Sequence, residues 1–235
     1  MRVALKISGE ALKEETPISS MMLENIYNDI KHILNLNHKV ILVCGGGNFW
    51  RGRNKLDIDS VISDQIGMLA TNMNALAINN YLNNKGISSN VYSAFLVEGF
   101  IKKYEKEEAL KDLENNKVIV LGGGLGKRHI STDLTIVQRA EELEADIIIM
   151  AKNIDGVYDK NPKEKDARKY DVISHKEMLD NQIKVGKDKQ GVMDYPAMEL
   201  LCKTKTTVYL YDAKNENGII DIFNGNNPGT KIETK

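Results

Sequence analysis

The chain of 235 residues has few cysteines, four prolines and no long apolar run. Its two cysteines, Cys44 and Cys202, cannot build a disulfide framework, and they lack the spacing of metal ligands. No apolar run approaches the ~20 residues that a membrane-spanning helix needs. Residues 1–7 lack the apolar core of a signal peptide. These absences predict a soluble, cytoplasmic protein without a membrane partner.

A strong net charge is also absent. The 32 basic and 33 acidic residues leave a formal charge of −1, so the composition offers no broad basic surface for nucleic acid. Hydrophobic residues make up 42% of the chain and charged residues 28%, which suits a packed globular core. The length fits one large α/β domain or two small ones.

Short apolar runs alternate with segments of helical periodicity. Strands are predicted at residues 3–7, 40–44, 91–94, 118–121, 146–151, 207–211 and 231–234. Helices are predicted at residues 22–34, 61–82, 105–113, 132–143 and 195–202. Because most of these strands are apolar on both faces, we expect a mostly parallel sheet between helical layers. Two polar segments, 153–170 and 180–191, are predicted to be a lid-like loop and a mobile stretch.

Two common nucleotide-binding motifs are missing from the sequence. The nearest approach to a P-loop is Gly126-Lys127-Arg128, which lacks the serine or threonine after the lysine and has Leu121 in place of the first glycine. No G-x-G-x-x-G pattern follows a predicted strand, which disfavours a dinucleotide-binding fold. Any nucleotide site must therefore be built differently.

Five segments at strand ends or near helix starts carry candidate chemistry. Ligands of such sheets bind beyond the carboxyl ends of the strands, where glycine-rich turns let the backbone approach a phosphate. The segments are residues 6–9, 45–52, 64–71, 122–133 and 152–162. Each also has an ordinary interpretation: a solvated lysine, a strand-to-helix turn with a surface arginine, a helix-start aspartate, a capped helix after a flexible loop, and a simple turn.

Taken together and in this order, the segments resemble the amino-acid-kinase superfamily, and within it the bacterial UMP kinases. The matching stretches are residues 5–12, 45–52, 64–71 with 74–77, 155–158 and 192–194, so the resemblance covers essentially the whole chain. It implies one domain over residues 1–235 with a three-layer α/β/α sandwich and a mostly parallel central sheet. It further implies ATP and UMP as ligands, Mg²⁺ bound with ATP, and a homohexamer.

The resemblance also assigns roles to individual residues. Those implied to act in catalysis are Lys6, Arg51 and Asp133, with Asp133 organising the catalytic lysine or a metal. Those implied to bind ATP are Lys6, Ile7, Ser8, Gly9, Gly47, Arg51, Lys152, Asn153, Tyr158 and Asn161. Those implied to bind UMP are Gly46, Asp64, Leu125, Gly126, Lys127, Arg128, His129, Ile130, Ser131 and Thr132, with Asp64 at the ribose. No residue is assigned as a direct metal ligand.

The sequence departs from the family pattern at three places. Lys127, Arg128 and His129 replace a largely neutral stretch, Asn161 stands where aspartate is common, and the segment after Leu12 lacks a glycine-rich stretch found in many members. The expected activity is phosphoryl transfer from MgATP to UMP, giving UDP and ADP in pyrimidine nucleotide biosynthesis. The alternatives are a related kinase for a carboxylate or carbamate, and a non-catalytic nucleotide-binding protein of the same fold.

Overall fold

The computed structural model describes residues 1–51, 57–185 and 191–234. In these residues the apolar runs form a nine-stranded sheet. Its strands are β1 (Arg2–Ile7), β2 (Lys39–Cys44), β3 (Ser89–Ser93), β4 (Lys102–Lys103), β5 (Val118–Gly122), β6 (Ile147–Lys152), β9 (Val172–Ser174), β10 (Thr207–Asp212) and β11 (Thr230–Glu233). Two further strands, β7 (Val157–Tyr158) and β8 (Lys169–Tyr170), form a small antiparallel pair.

The strand order of the large sheet is β4-β3-β5-β2-β1-β6-β10-β11-β9. Every neighbouring pair is parallel except β10 and β11. Parallel neighbours end at the same edge, so the carboxyl ends of β1, β2, β5 and β6 lie side by side. That edge is where the sequence places its glycine-rich turns.

Helices cover both faces of the sheet. They are α1 (Ser20–Asn35), α2 (Ser60–Asn84), α3 (Lys106–Glu114), α4 (Thr132–Glu142), α5 (His175–Val185), α6 (Tyr195–Thr204) and α7 (Gly218–Phe223). Alternate residues of β1 enter different cores: Ala4 packs with α3 to α6, whereas Val3 and Leu5 pack with α1, α2 and α7. The predicted three-layer α/β/α sandwich with a mostly parallel sheet is therefore confirmed.

Several element boundaries differ from the sequence-based expectation. Helix α2 begins at Ser60 with Asp59 as its N-cap, one residue before the predicted start, and Asp64 is its fifth residue. The predicted lid-like loop 153–170 contains the β7–β8 pair. Residues 180–185 of the predicted mobile stretch form the last part of α5, and residues 186–190 lie outside the described residues. Helix α5 was missed because its sequence is mostly polar.

One structural finding bears on membranes. Among the helices of the described residues, none combines the length and the apolar character that a membrane span requires.

Candidate active site

Two lysines share one aspartate at the carboxyl edge of the sheet. Lys6 lies near the end of β1 and Lys152 is the last residue of β6, which pairs with β1 in parallel. The Lys6 Nζ is 2.5 Å from the Asp133 Oδ1, and the Lys152 Nζ is 2.7 Å from the Asp133 Oδ2. Asp133 belongs to the first turn of α4, whose N-terminus favours a negative charge. These three residues form the lysine–aspartate cluster.

Burial fixes the charge state of this cluster. Lys6 and Asp133 are 8% and 9% exposed. Burial acts to raise the pKa of the Asp133 carboxyl, but the charges of Lys6 and Lys152 outweigh it and hold that pKa below its usual range. Burial, together with the charge of Lys6, lowers the pKa of Lys152 to about 8, against the opposing effect of Asp133. The Asp133 carboxyl is therefore ionised at neutral pH.

A glycine-rich turn after β2 lies against the turn after β1. A Cβ on Gly9 would lie 2.3 Å from the Gly47 backbone nitrogen, so the two backbones touch where only glycine fits. The buried Asn74 of α2 holds this turn, because its Nδ2 donates to the Gly45 carbonyl at 2.6 Å and to the Asn48 Oδ1 at 2.8 Å. The buried side-chain amide of Asn74 therefore holds the backbone of this turn in place.

The arginine of the same turn is exposed and paired. The Arg51 Nη2 lies 2.8 Å from the Glu10 Oε1, and its side chain is 59% exposed. Gly47 leaves room for this pair, since a Cβ there would meet the Glu10 carboxylate at 2.3 Å. Arg51 is the last residue before the gap in the described chain, and Gly52, the end of the predicted motif, lies outside it.

The turn after β5 is built by backbone conformation. Gly123, Gly124 and Gly126 have φ angles of +72°, +59° and +69°, and His129 has +58°. The Gly123 N–H donates to the Thr71 Oγ1 at 2.7 Å, which ties the start of the turn to α2. The side chains of the three basic residues at 127–129 are exposed.

Asp64 of α2 contacts the far end of the same turn. The His129 N–H donates to the Asp64 Oδ2 at 2.9 Å, and the His129 Nδ1 lies 3.5 Å from the same oxygen. The carboxylate is therefore an acceptor facing the loop, rather than a helix cap, because Asp59 holds that position.

A cleft of about 670 Å³ opens between these turns. The sequence-predicted residues that line it are Gly46, Gly47, Arg51, Asp64, Lys127, His129, Ile130, Ser131, Thr132 and Asn153. Leu125, Gly126 and Arg128 belong to the same loop without lining the cleft. The lysine–aspartate cluster adjoins it, because Asp133 directly follows the lining residue Thr132.

Five further predicted site residues do not line the cleft. Ile7, Ser8 and Gly9 lie where β1 ends and a short 3₁₀ helix begins, and Tyr158 and Asn161 lie elsewhere. Tyr158 is in the small β7–β8 sheet, where its hydroxyl donates to the Asp155 Oδ1 at 2.9 Å. The Asn161 Oδ1 accepts from the Lys163 N–H at 3.1 Å. Neither lines the cleft, so their proposed contact with adenosine stays a prediction.

Eight further residues line the cleft without an individual role predicted from the sequence. They are Glu10, Trp50, Ser63, Gly67, Met68, Thr71, Gly124 and Thr135. Three of these residues could have been predicted from the sequence. Ser63, Gly67 and Thr71 recur every four residues and place small side chains on one face of α2. That face receives Gly46, whose added Cβ would lie 2.9 Å from the Gly67 carbonyl oxygen.

Comparison with known proteins decides the family. A family model described as "Amino acid kinase family" matches residues 1–212, about nine-tenths of the chain. The chain belongs to the amino acid kinase family. The resemblance predicted from the five segments is thereby confirmed.

Three solved structures are similar to this chain over nearly its whole length. The UMP kinase from Ureaplasma parvum is 30% identical over 99% of this chain and 98% of its own, with a TM-score of 0.89. The UMP kinase from Bacillus anthracis is 31% identical over 99% and 95%, with a TM-score of 0.90. The uridylate kinase from Archaeoglobus fulgidus is 24% identical over 99% and 100%, with a TM-score of 0.74, which speaks for the fold alone.

Proposed function

We propose that this member of the amino acid kinase family is a UMP kinase, which transfers the γ-phosphoryl group of MgATP to UMP and releases UDP and ADP. The observation that carries the proposal is the lysine–aspartate cluster, a buried and fixed positive charge beside a cleft bordered by two glycine-rich turns. The near-complete coverage of two UMP kinases at 30% and 31% identity supports UMP as the acceptor.

The chemistry of this reaction matches the composition of the site. The attacking group is a phosphate oxygen that is already ionised, so the enzyme needs no strong general base. It needs in-line positioning and stabilisation of the charge on the transferring group. In our proposal Lys6 and Lys152 supply that stabilisation from fixed positions, and Arg51 leaves Glu10 to contact a phosphate.

The acceptor UMP is proposed to bind between α2 and the turn after β5. Asp64 would accept hydrogen bonds from the ribose in place of the His129 N–H that it accepts now. Gly46 and the loop residues from Leu125 to Thr132 would surround the rest of the nucleotide. The Ser131 and Thr132 N-terminus of α4 suits the UMP phosphate, because helix N-termini bind anions.

The donor ATP is proposed to bind on the opposite side of the cluster. The turn of Ile7, Ser8 and Gly9, together with Gly47, would offer backbone N–H groups to its phosphates. Asn153, Tyr158 and Asn161 would border the adenosine. In this arrangement the N-terminal part of a single domain binds mainly UMP and the C-terminal part mainly ATP.

Magnesium is proposed to enter with ATP. In the part of the chain that the structure describes, no three His, Cys, Asp or Glu side chains cluster as a metal cage, and the Asp133 carboxylate is occupied by two ammonium groups. This donor set fits Mg²⁺ held mainly by substrate phosphates, the usual arrangement at phosphoryl-transfer sites. When bound there, the ion would neutralise phosphate charge.

One assay tests the proposed function against its alternatives. ADP release from MgATP is measured with UMP, CMP, glutamate or carbamate as the acceptor. We expect turnover with UMP at least about tenfold above that with any other acceptor. Turnover only with glutamate or carbamate would replace the proposal with a carboxylate or carbamate kinase. Nucleotide binding without ADP release would replace it with a non-catalytic binding protein.

The assembly proposed on the same resemblance is a homohexamer, the closed symmetric form expected of the family. Light scattering at micromolar concentration should give six times the chain mass of 26.4 kDa. A mass near that of one chain would contradict the proposal.

A further inference from the structure

The N-termini of two helices meet at the edge of the cleft and share one carboxylate. Ser131 is the N-cap of α4, where its Oγ accepts the Leu134 N–H at 3.0 Å and donates to the Asp194 Oδ2. Asp194 is itself the N-cap of α6, where its Oδ1 accepts the Ala197 N–H at 2.8 Å. One aspartate therefore caps its own helix and binds the cap of the other.

The two partners of this link differ in how firmly they are held. Asp194 stands between Met193 and Ala197, which are 1% and 0% exposed and belong to the core shared by α4 and α6. Ser131 instead ends the turn after β5, in which residues 126–129 are exposed and four residues adopt positive φ angles. Asp194 is thus the anchored side of the link, and Ser131 is the side that it positions.

The position of Ser131 determines the first turn of α4. Thr132 lines the cleft, and Asp133 binds both Lys6 and Lys152. A displacement of the α4 N-terminus would therefore move the acceptor side of the site and the lysine–aspartate cluster together. Small displacements of reacting groups have large effects on the rate of a positioned reaction.

We infer that Asp194 is a positioning residue of the phosphoryl transfer, which acts through Ser131 to hold Asp133 and its two lysines in register with the nucleotides. The inference rests on the proposed function. It predicts a larger effect on turnover than on ATP affinity, because the backbone of residues 7–9 and Gly47, which is proposed to hold the ATP phosphates, is not bound by Asp194 or Ser131.

The first test replaces Asp194 by serine. Serine remains a good N-cap for α6 but is too short to reach Ser131. We expect kcat with UMP and MgATP to fall about tenfold while the KM for ATP changes less than twofold. A kcat within twofold of the wild-type value would overturn the inference.

A matched control separates loss of an aspartate cap from loss of the link. Asp59 caps α2 through the Val61 N–H at 2.8 Å and bridges to no second helix cap. Asp59→Ser should therefore leave kcat within twofold of wild type. If Asp194→Ser does not fold, Asp194→Thr takes its place, because threonine also caps a helix N-terminus and is likewise too short to reach Ser131.

A second readout works without turnover. Hydrogen exchange at the Leu134 amide, whose N–H binds Ser131, should become at least about fivefold faster in Asp194→Ser than in Asp59→Ser. Unchanged exchange would overturn the inference even where kcat had fallen. If the wild-type chain fails to phosphorylate UMP, the proposed function fails, and the exchange comparison still decides whether Asp194 holds α4.

Discussion

Two groups of basic side chains lie in or beside the same cleft and are held in opposite ways. Lys6 and Lys152 are largely buried, and one carboxylate fixes both ammonium groups. The loop residues Lys127, Arg128 and His129 are exposed, and the His129 side chain is 72% accessible. The buried pair has a defined geometry before any ligand arrives, whereas the exposed group has freedom to reorient.

The difference teaches where each kind of charge is useful. A buried cation acts through a medium of low dielectric constant, and its position does not have to change during the reaction. It can therefore stabilise the charge of a transition state. An exposed cation is screened by salt over about 8–10 Å and mainly assists the approach of an anion. We therefore expect the buried lysines to govern turnover and the basic loop residues to modulate UMP binding.

The largest expected effect is on Lys6. Lys6→Ala removes one preorganised charge at the transferring group, so turnover should fall on the order of 10²–10³. The fold should persist, because the lysine lies at the end of β1 and its removal takes away little core packing. Steady-state kinetics with a circular-dichroism control measures this, and near-normal turnover would remove Lys6 from the catalytic group.

A smaller and more selective effect is expected for Asp64. Asp64→Ala removes the acceptor proposed for the ribose, so the KM for UMP should rise about tenfold while the KM for ATP stays nearly constant. The two constants are measured in the same steady-state experiment. An equal rise of both would show that Asp64 supports the fold of the loop rather than one substrate.

The smallest effect is expected for the exposed basic side chains of the loop. The triple variant Lys127→Ala, Arg128→Ala, His129→Ala should raise the KM for UMP about threefold at low salt and hardly at all at high salt. ATP binding serves as the internal control, because these residues are proposed to face UMP. If the triple variant matches wild type at both salt concentrations, the loop acts through its backbone alone.

Much of the fold was predictable because its strands are strongly patterned. Strand β2 is buried along most of its length, and a continuous apolar run of this kind predicts a central strand of a parallel sheet. Strands β4 and β9 were missed, because two and three residues are too few to show the alternation of apolar and polar side chains that indicates a strand. Helix α5 was missed because polar residues dominate its sequence.

The candidate site was predictable only in part. The glycine-rich turns carry a local signal, since glycine is required where the backbones at Gly9 and Gly47 touch. No local sequence signal predicts that Lys152 pairs with Asp133 or that Ser131 pairs with Asp194. These contacts join residues 19 and 63 positions apart, and only the packing of α4 against β6 and α6 brings them together.

The central claim is that Asp133 holds two buried cations in register before any nucleotide binds. Its most direct test is the titration of Lys152 in the free protein, followed by NMR of ¹³C-labelled lysine side chains and assigned with Lys152→Arg. Lys152 should lose its proton at about pH 8, because burial and the charge of Lys6 outweigh the attraction of Asp133. Asp133→Asn should lower this value further. Titration near 10.4, the value of an exposed lysine, would contradict the account.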